Sequence, residues 1–476
     1  MKKIISIMIA AMMIICIMGC NANKTDRTQD DVKIVWYVGG DEQADISSVM
    51  SAINEKLHKK LGVQLELKFV EWKNYSDKMN MLFSSGENFD LCFTSTWSND
   101  FMMNASGGLY LELNSYLEGE IKKLKDSIPS FVWDDAKING NIYAVPNYQV
   151  CYYQECALTP KRLVDKYNLD ISSIKQLSDI EPYLIQLKEN EPDIHPFNPW
   201  GFTADTISYK SLPSISSLAV NVDEGETKLY SKYETKEYRE MLHLFRDYYE
   251  KGYIRSDILA DVSTAAGTKY GVWCSSSKPG SNIDNLQLYG EEVVEIPLQT
   301  PYIAMGAAQA AMTAVSKNSK HPAEAMKVLE LVNTDKELYN MICFGIEGKH
   351  YEKIDDDMIR IFANKGYVPN EAWVFGNQFN AYYIEGQQKG SWEETDRINR
   401  TAKRSVYRGF TVDFSKIKSD VAKLRAVENE YKYIVLGTEE PDALLKEFVG
   451  KMKEAGLDEV YEEVQMQMNN FLNNKK

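Results

Sequence analysis

The first hundred residues alternate between strand and helix patterns, and this order restricts the possible folds more than any other feature of the chain. The segments VKIVWYV (32–38) and FDLCFT (89–94) are mostly apolar and VQLELKFV (63–70) alternates strictly, which predicts three strands. Between each pair of them, apolar residues recur at helical spacing. A β-α-β-α-β order predicts a parallel sheet covered by helices, so we expect an α/β fold.

The carboxyl ends of these three predicted strands are rich in aromatic and polar residues. Parallel strands direct their carboxyl ends to one edge of a sheet, and ligands of such sheets bind beyond that edge. The sequence therefore predicts a binding site built from the residues that follow the strands: Tyr37 to Asp41, Glu71-Trp72 and Ser95-Thr96-Trp97.

The rest of the chain continues with mixed patterns and ends in helices. Residues 306–317, GAAQAAMTAVSK, resemble a strand of small residues, and Pro322 is typical of the first position of a helix. The last hundred residues predict three helices, the first ending at Gly437 and the second beginning after Pro441.

The N-terminus predicts export. Lys2 and Lys3 precede an apolar run over residues 4–18, which is shorter than the roughly 20 residues of a membrane-spanning helix and fits a secretory signal. The run ends in Gly19-Cys20, which resembles the lipobox of bacterial lipoproteins. The resemblance implies that Cys20 is acylated and becomes the mature N-terminus. An ordinary signal peptide with an incidental cysteine is the alternative.

Size and charge limit the classes of protein to consider. The mature chain of roughly 455 residues exceeds what one core usually supports, so two domains are expected. The formal charge of −15 falls to −17 when Lys2 and Lys3 leave with the signal. A protein this acidic is not expected to bind nucleic acid.

Cysteine usage leaves two alternatives open. Cys151 and Cys156 are close enough in sequence to pair across a turn, but buried free thiols explain them equally well. No CxxC motif occurs, and the five histidines lack the spacing of a zinc protease. The sequence therefore predicts neither a metal nor any other cofactor.

No catalytic signature is apparent, although the sequence leaves one enzymatic class open. A nucleophile elbow and a phosphate-binding glycine loop are both absent. A glycosidase needs two carboxylates about 5–10 Å apart, and sequence alone does not show whether two of the 69 acidic residues meet in this way. A secreted surface glycoside hydrolase is therefore kept as the alternative to a protein without catalysis.

Motifs along the whole chain resemble one family. They include the lipobox, "FSSGENFDLCFTSTW" (83–97), "NGNIYAVPN" (139–147), "SKHPAEAMKVLELVNTD" (319–335) and "WVFGNQF" (373–379). Together they resemble the extracellular solute-binding lipoproteins of bacterial ABC importers, in the group that binds carbohydrates. The helical tail resembles the subfamily with an uncharacterised C-terminal domain.

The resemblance implies a periplasmic-binding-protein-like fold, with two discontinuous α/β lobes joined by a hinge and a helical C-terminal region. It implies capture of a sugar or oligosaccharide in the cleft between the lobes, delivery to ABC permease subunits, attachment to the outside of the cell membrane by the lipid, and no catalysis. A non-sugar solute such as a peptide is an alternative cargo. The expected divisions are a signal at 1–19, the acylated cysteine and tether at 20–31, one lobe at 32–147 and 304–350, and the other at 148–303 and 351–476.

A saccharide site needs flat aromatic side chains for the apolar faces of sugars and planar polar groups for their hydroxyls. Trp97 is the best candidate because its place after a strand agrees with the position of the site in the family. Partial burial in a core is the alternative for any of the tryptophans, and Asn377 could instead cap a turn. Trp36, Trp133 and Trp392 are predicted to pack in the interior. The full set of candidate ligand-binding residues is Trp97, Trp72, Asp41, Tyr148, Trp200, Trp273, Trp373 and Asn377.

Overall fold

The computed structural model describes residues 31–203, 208–260 and 269–475. The predicted signal, Cys20 and the tether up to residue 30 lie outside the described residues, so their roles stay predictions. Within the described ranges, no helix combines the length and apolar character needed to cross a bilayer.

The described residues form short strands and helices in alternation, followed by a helical C-terminal region. The strands are β1 Val32–Gly39, β2 Val63–Val70, β3 Leu91–Thr94, β4 Ala144–Pro146, β5 Glu155–Pro160, β6 His195–Phe197, β7 Tyr209–Leu212, β8 Ile215–Asn221, β9 Leu229–Ser231, β10 Tyr270–Ser276, β11 Val293–Pro297, β12 Tyr302–Ile303, β13 Met312–Val315, β14 Tyr351–Lys353, β15 Met358–Ile361, β16 Tyr383–Ile384 and β17 Lys403–Arg404. The helices are α1 Ile46–Leu61, α2 Trp72–Ser85, α3 Phe101–Ser106, α4 Asn114–Glu118, α5 Lys122–Ser127, α6 Ser130–Ala136, α7 Lys161–Tyr167, α8 Glu181–Asn190, α9 Lys236–Glu250, α10 Ser281–Tyr289, α11 Pro322–Thr334, α12 Lys336–Phe344, α13 Ser391–Thr401, α14 Lys418–Glu430, α15 Pro441–Glu454 and α16 Leu457–Lys475.

The first sheet confirms the β-α-β-α-β prediction. Its described strands follow the order β2-β1-β3-β13-β4, and β1 pairs in parallel with both β2 and β3. Strands β13 and β4 extend the sheet in antiparallel pairing. Helix α1 buries Val49, Ile53 and Leu57, and Gly62 ends it in the left-handed region at φ 66°. The chain can therefore turn directly from α1 into β2.

The second sheet lies later in the chain and has the order β11-β5-β10-β6 within the described residues. Strand β5 carries Cys156, whose thiol donates to the carbonyl of Ser275, while the Cys151 thiol donates to the carbonyl of Gln149. Both cysteines are buried and free, so the disulfide alternative is wrong and the free-thiol alternative is confirmed.

The predicted strand of small residues begins later than the sequence suggested. Residues Ala307–Ala310 form a turn of 3-10 helix, and β13 starts only at Met312. The buried carboxylate of Asp135 accepts the backbone N–H groups of Gly306 and Ala308 at 3.0 and 2.8 Å. Because these two N–H groups bond to Asp135, the segment has a stable alternative to strand pairing.

The C-terminal region is helical as predicted, with one difference. Helix α14 ends at Glu430, and a separate 3-10 helix, Lys432–Leu436, continues to Gly437. Tyr431 separates the two and stacks on Phe448 of α15, which also packs against Tyr233. This aromatic cluster attaches the C-terminal helices to the 3-10 helix Lys232–Glu234.

The boundaries of the two lobes stay a prediction. The first sheet takes strands from residues 32–146 and 312–315, and the second takes its strands from residues 155–297. Phe375 packs at right angles to the rings of Trp36 and Phe69, so a segment beyond residue 351 also contacts the first sheet.

Candidate functional site

Three tryptophans meet at the carboxyl edge of the first sheet. Trp72 opens α2 directly after β2, Trp97 follows β3, and Trp373 lies in a 3-10 turn, Ala372–Val374. The rings of Trp72 and Trp373 stack with centroids 5.4 Å apart and planes 15° apart. The ring of Trp97 lies 5.0 Å from Trp72 and 5.9 Å from Trp373. We call this group, Trp72, Trp97 and Trp373, the tryptophan platform.

The platform has a rigid base and one open side. The buried ring of Phe93, in β3, meets Trp72 and Trp373 edge-on at 5.1 and 5.7 Å. The indole N–H of Trp97 donates to the carbonyl of Ala310 at 2.8 Å, which fixes its orientation. Trp97 nevertheless remains 56% exposed, so much of its surface is available to a ligand.

A carboxyl group lies beside the platform. The indole N–H of Trp72 donates to Glu371 Oε1 at 2.7 Å. Burial raises the pKa of Glu371 to about 7, and the negative charge of Asp41 adds to the rise. Near neutral pH this group can thus donate as well as accept a hydrogen bond, which suits a ligand hydroxyl.

Two cavities lie next to this edge of the first sheet. Thr96 lines both of them. The smaller, of about 370 Å³, is bounded on its far side by Tyr153, Glu155 and Lys210. The larger, of about 620 Å³, is bordered by Trp97 and reaches α14. Volumes of this size are typical of ligand sites.

The structure brings together four of the candidate residues. Trp72, Trp97 and Trp373 form the platform, and exposed Asp41 follows β1 near enough to Glu371 to raise its pKa. Tyr148 is buried instead: its hydroxyl donates to Asp396 and its ring packs on Phe379.

Two further candidates have local structural roles. The side chain of Asn377 caps the turn Gln378–Asn380 and donates to the carbonyl of Ser127, as the capping alternative expected. Trp200 lies in a turn after β6 and is partly buried against the core.

The prediction for Trp273 is wrong. Trp273 lies inside β10, opposite Leu158 of β5, and is fully buried. The strand continues through Cys274 to Ser276, so the polar residues that suggested a loop are part of the ladder. Trp36 and Trp133 are buried as predicted, and Trp392 is partly buried.

Sequence reasoning missed Glu371, Phe93 and the residues Tyr153, Glu155 and Lys210 that line the smaller cavity. Glu371 could have been chosen as a candidate, because it lies two residues before the candidate Trp373. Within the described part of the chain, no cluster of three or more His, Cys, Asp or Glu side chains could hold a metal ion.

Sequence comparison finds matches over nearly the whole chain. The profile of the bacterial extracellular solute-binding proteins matches residues 39–338, and that of a domain of unknown function, DUF3502, matches residues 406–473. A carbohydrate ABC transporter substrate-binding protein of Streptococcus pneumoniae is 29% identical over 472 residues, covering 96% of this chain and 94% of the relative. Lipoprotein LipO of Bacillus subtilis is 22% identical and covers 97% of this chain and 94% of its own.

Solved structures of a solute-binding protein also superpose on most of the chain. The N-glycan transport solute-binding protein NgtS of Streptococcus pneumoniae superposes with a TM-score of 0.83 at 26% identity, covering 94% of this chain and 100% of that one. Its complex with Man5GlcNAc superposes with a TM-score of 0.76 over 94% of this chain and 100% of that one.

Proposed function

We propose that this chain, which belongs to the bacterial extracellular solute-binding protein family, captures a saccharide on the tryptophan platform and delivers it to the permease of an ABC importer. The observation that carries the proposal is the exposed side chain of Trp97, held in place at the edge where parallel strands end.

The chemistry of the platform suits a sugar. A pyranose ring presents C–H groups on its faces, and indole rings give such faces a broad apolar contact. The carboxyl of Glu371 lies at the side of the platform, where hydroxyl groups at the rim of a stacked sugar would need polar partners.

The relatives support a saccharide rather than a peptide. The pneumococcal relative is a carbohydrate ABC transporter substrate-binding protein, and NgtS has been crystallised with Man1GlcNAc and with Man5GlcNAc. These two saccharides are therefore the first probes to test.

Attachment to the membrane belongs to the same proposal. Acyl chains on Cys20 would hold the protein at the outer face of the membrane, because two or more chains anchor stably. Residues 21–31 would serve as the tether that leaves the lobes free to reach the permease.

The protein is proposed to bind its saccharide without changing it. Glu371 accepts the Trp72 indole N–H through one of its oxygens, which fits a positioning role at the platform. The alternative of a glycoside hydrolase requires a second carboxylate to act with Glu371 on a glycosidic bond.

The experiment uses purified protein lacking residues 1–20. Isothermal titration calorimetry with Man1GlcNAc and Man5GlcNAc should show binding, and each bound saccharide should raise the melting temperature with concentration. Chromatography after long incubation should recover the saccharide unchanged. If the protein binds peptides and neither saccharide, the proposed saccharide cargo is wrong. If the saccharide is hydrolysed and Glu371→Gln abolishes the turnover, the protein is a glycoside hydrolase instead.

A further inference from the structure

Helix α14 belongs to the domain of unknown function, yet it lines the larger of the two cavities beside the platform. Of the platform residues, Trp97 alone borders this cavity, and Arg425, Glu428 and Asn429 of α14 border its other side. We call it the α14 cavity. It leads away from Trp72 and Trp373 and toward the C-terminal helices.

A contact between three elements holds α14 in this place. Arg425 Nη2 donates to Asp100 Oδ2 at 3.0 Å and to the carbonyl of Ser214 at 2.8 Å. The hydroxyl of Ser214 donates to the same carboxylate at 3.1 Å. Asp100 also accepts the backbone N–H of Met103, at the start of α3. The first lobe, the β7–β8 turn and α14 therefore meet at one carboxylate.

The β7–β8 turn is strained at this contact. Ser214 has φ 66°, in the left-handed region that is unfavourable for a non-glycine residue. Strain of this kind persists where surrounding contacts fix the backbone, and it occurs often at ligand clamps.

The lining of the α14 cavity mixes apolar side chains with polar ones, and several of the polar side chains are held in place by hydrogen bonds. Glu428 accepts hydrogen bonds from the hydroxyls of Tyr233 and Ser216 at 2.8 and 2.7 Å, which fixes its carboxylate. The side-chain amides of Asn80, on α2, and Asn429, on α14, have no hydrogen-bond partner among the described residues, and both residues are exposed. Each amide offers two donors and an acceptor.

We propose that the α14 cavity is a second part of the saccharide site, in which Asn80 and Asn429 bind the sugar units that extend past Trp97. This inference rests on the proposed function. It gives the domain of unknown function a role in choosing long or branched saccharides over short ones. A volume of about 620 Å³ has room for more than one sugar unit.

The test compares a short and a long probe on matched variants. Asn429→Ala and Asn80→Ala should each weaken binding of Man5GlcNAc at least fivefold and change binding of Man1GlcNAc less than twofold. Trp97→Ala should weaken the binding of both probes. Asn470→Ala, the same substitution on an exposed surface of α16, should change neither.

The outcomes separate this inference from the function on which it rests. Wild-type protein that binds neither probe contradicts the proposed function. The proposed role of the α14 cavity alone is overturned if wild-type protein binds Man5GlcNAc and the Asn80→Ala and Asn429→Ala variants bind it equally well. It is also overturned if these variants lose affinity for both probes to the same extent. Thermal melting of each variant within about 2 °C of wild type would show that the fold is intact.

Discussion

The indole N–H of Trp72 donates to Glu371 Oε1 at 2.7 Å, although 299 positions separate the two residues in the chain. This bond joins the start of α2 to the segment that carries Trp373, and Phe375 of the same segment packs against Trp36 in the core. The tryptophan platform therefore forms only when a late segment of the chain docks on the first sheet.

Glu371 should make stability depend on pH. Its pKa is raised by burial from 4.5 to about 7 in the folded protein, so the folded state binds a proton more tightly than the unfolded state. The stabilisation from this proton is complete below pH 4.5 and is lost as the pH rises through 7. Glu371→Gln keeps the acceptor for Trp72 and removes the titration. We expect the free energy of unfolding of the variant to equal that of wild type at pH 4.5. At pH 8 it should be higher than that of wild type by about 1–2 kcal/mol, after allowance for solvent screening.

Urea denaturation of both proteins between pH 4.5 and 8 measures this difference. Asp135 also has its pKa raised by burial, to about 6, and the comparison with wild type cancels its contribution. Asp41→Asn is a companion variant, because removing that charge should shift the loss of stability to lower pH. If the difference in unfolding free energy between wild type and Glu371→Gln stays constant with pH, Glu371 does not have the raised pKa assigned to it.

Trp97 and Trp36 should respond in opposite ways to truncation. Trp97→Ala is expected to weaken saccharide binding by about 1–3 kcal/mol, the scale of a lost aromatic contact, while the melting of the free protein changes little. Trp36 is fully buried, so Trp36→Ala should cost about 3–5 kcal/mol of stability. Calorimetry and thermal melting distinguish the two patterns.

Trp273→Ala is the control for this pair. It is fully buried in β10 and should behave like Trp36→Ala. If Trp97→Ala melts early and binds saccharide normally once folded, the platform is part of the core and the site must lie elsewhere.

Local patterns predicted the first sheet because its first three strands and the helices between them each have a clear hydrophobic periodicity within a short stretch of sequence. Trp72 and Trp97 could be chosen for the same reason, since each directly follows a strand. The contact of Trp72 with Glu371 could not be predicted, because it depends on the docking of a distant segment. Trp273 was misplaced because the polar residues after it resemble a loop and instead pair with β5.

Cys20→Ala should abolish lipid attachment. The wild-type protein is expected to incorporate labelled fatty acid and to fractionate with membranes, because acyl chains on Cys20 hold it there. The variant should incorporate none and should be released into the medium or remain unprocessed. Mature, processed variant protein that still sediments with membranes would show that another feature anchors the chain.

Gly39 should be essential to the platform because the ring of Trp72 lies directly on it. A Cβ atom at residue 39 would lie 2.3 Å from the nearest atom of that ring, so Gly39→Ala must displace the indole. We expect a loss of about 1–3 kcal/mol in stability from overpacking, a shift of tryptophan emission to longer wavelength and weaker saccharide binding. Gly450→Ala is the matched control: it lies within α15 with nothing within 4 Å of the added Cβ, and should raise stability by about 0.5–1 kcal/mol. Normal saccharide binding by Gly39→Ala, with unchanged emission, would contradict the placement of Trp72 in the site.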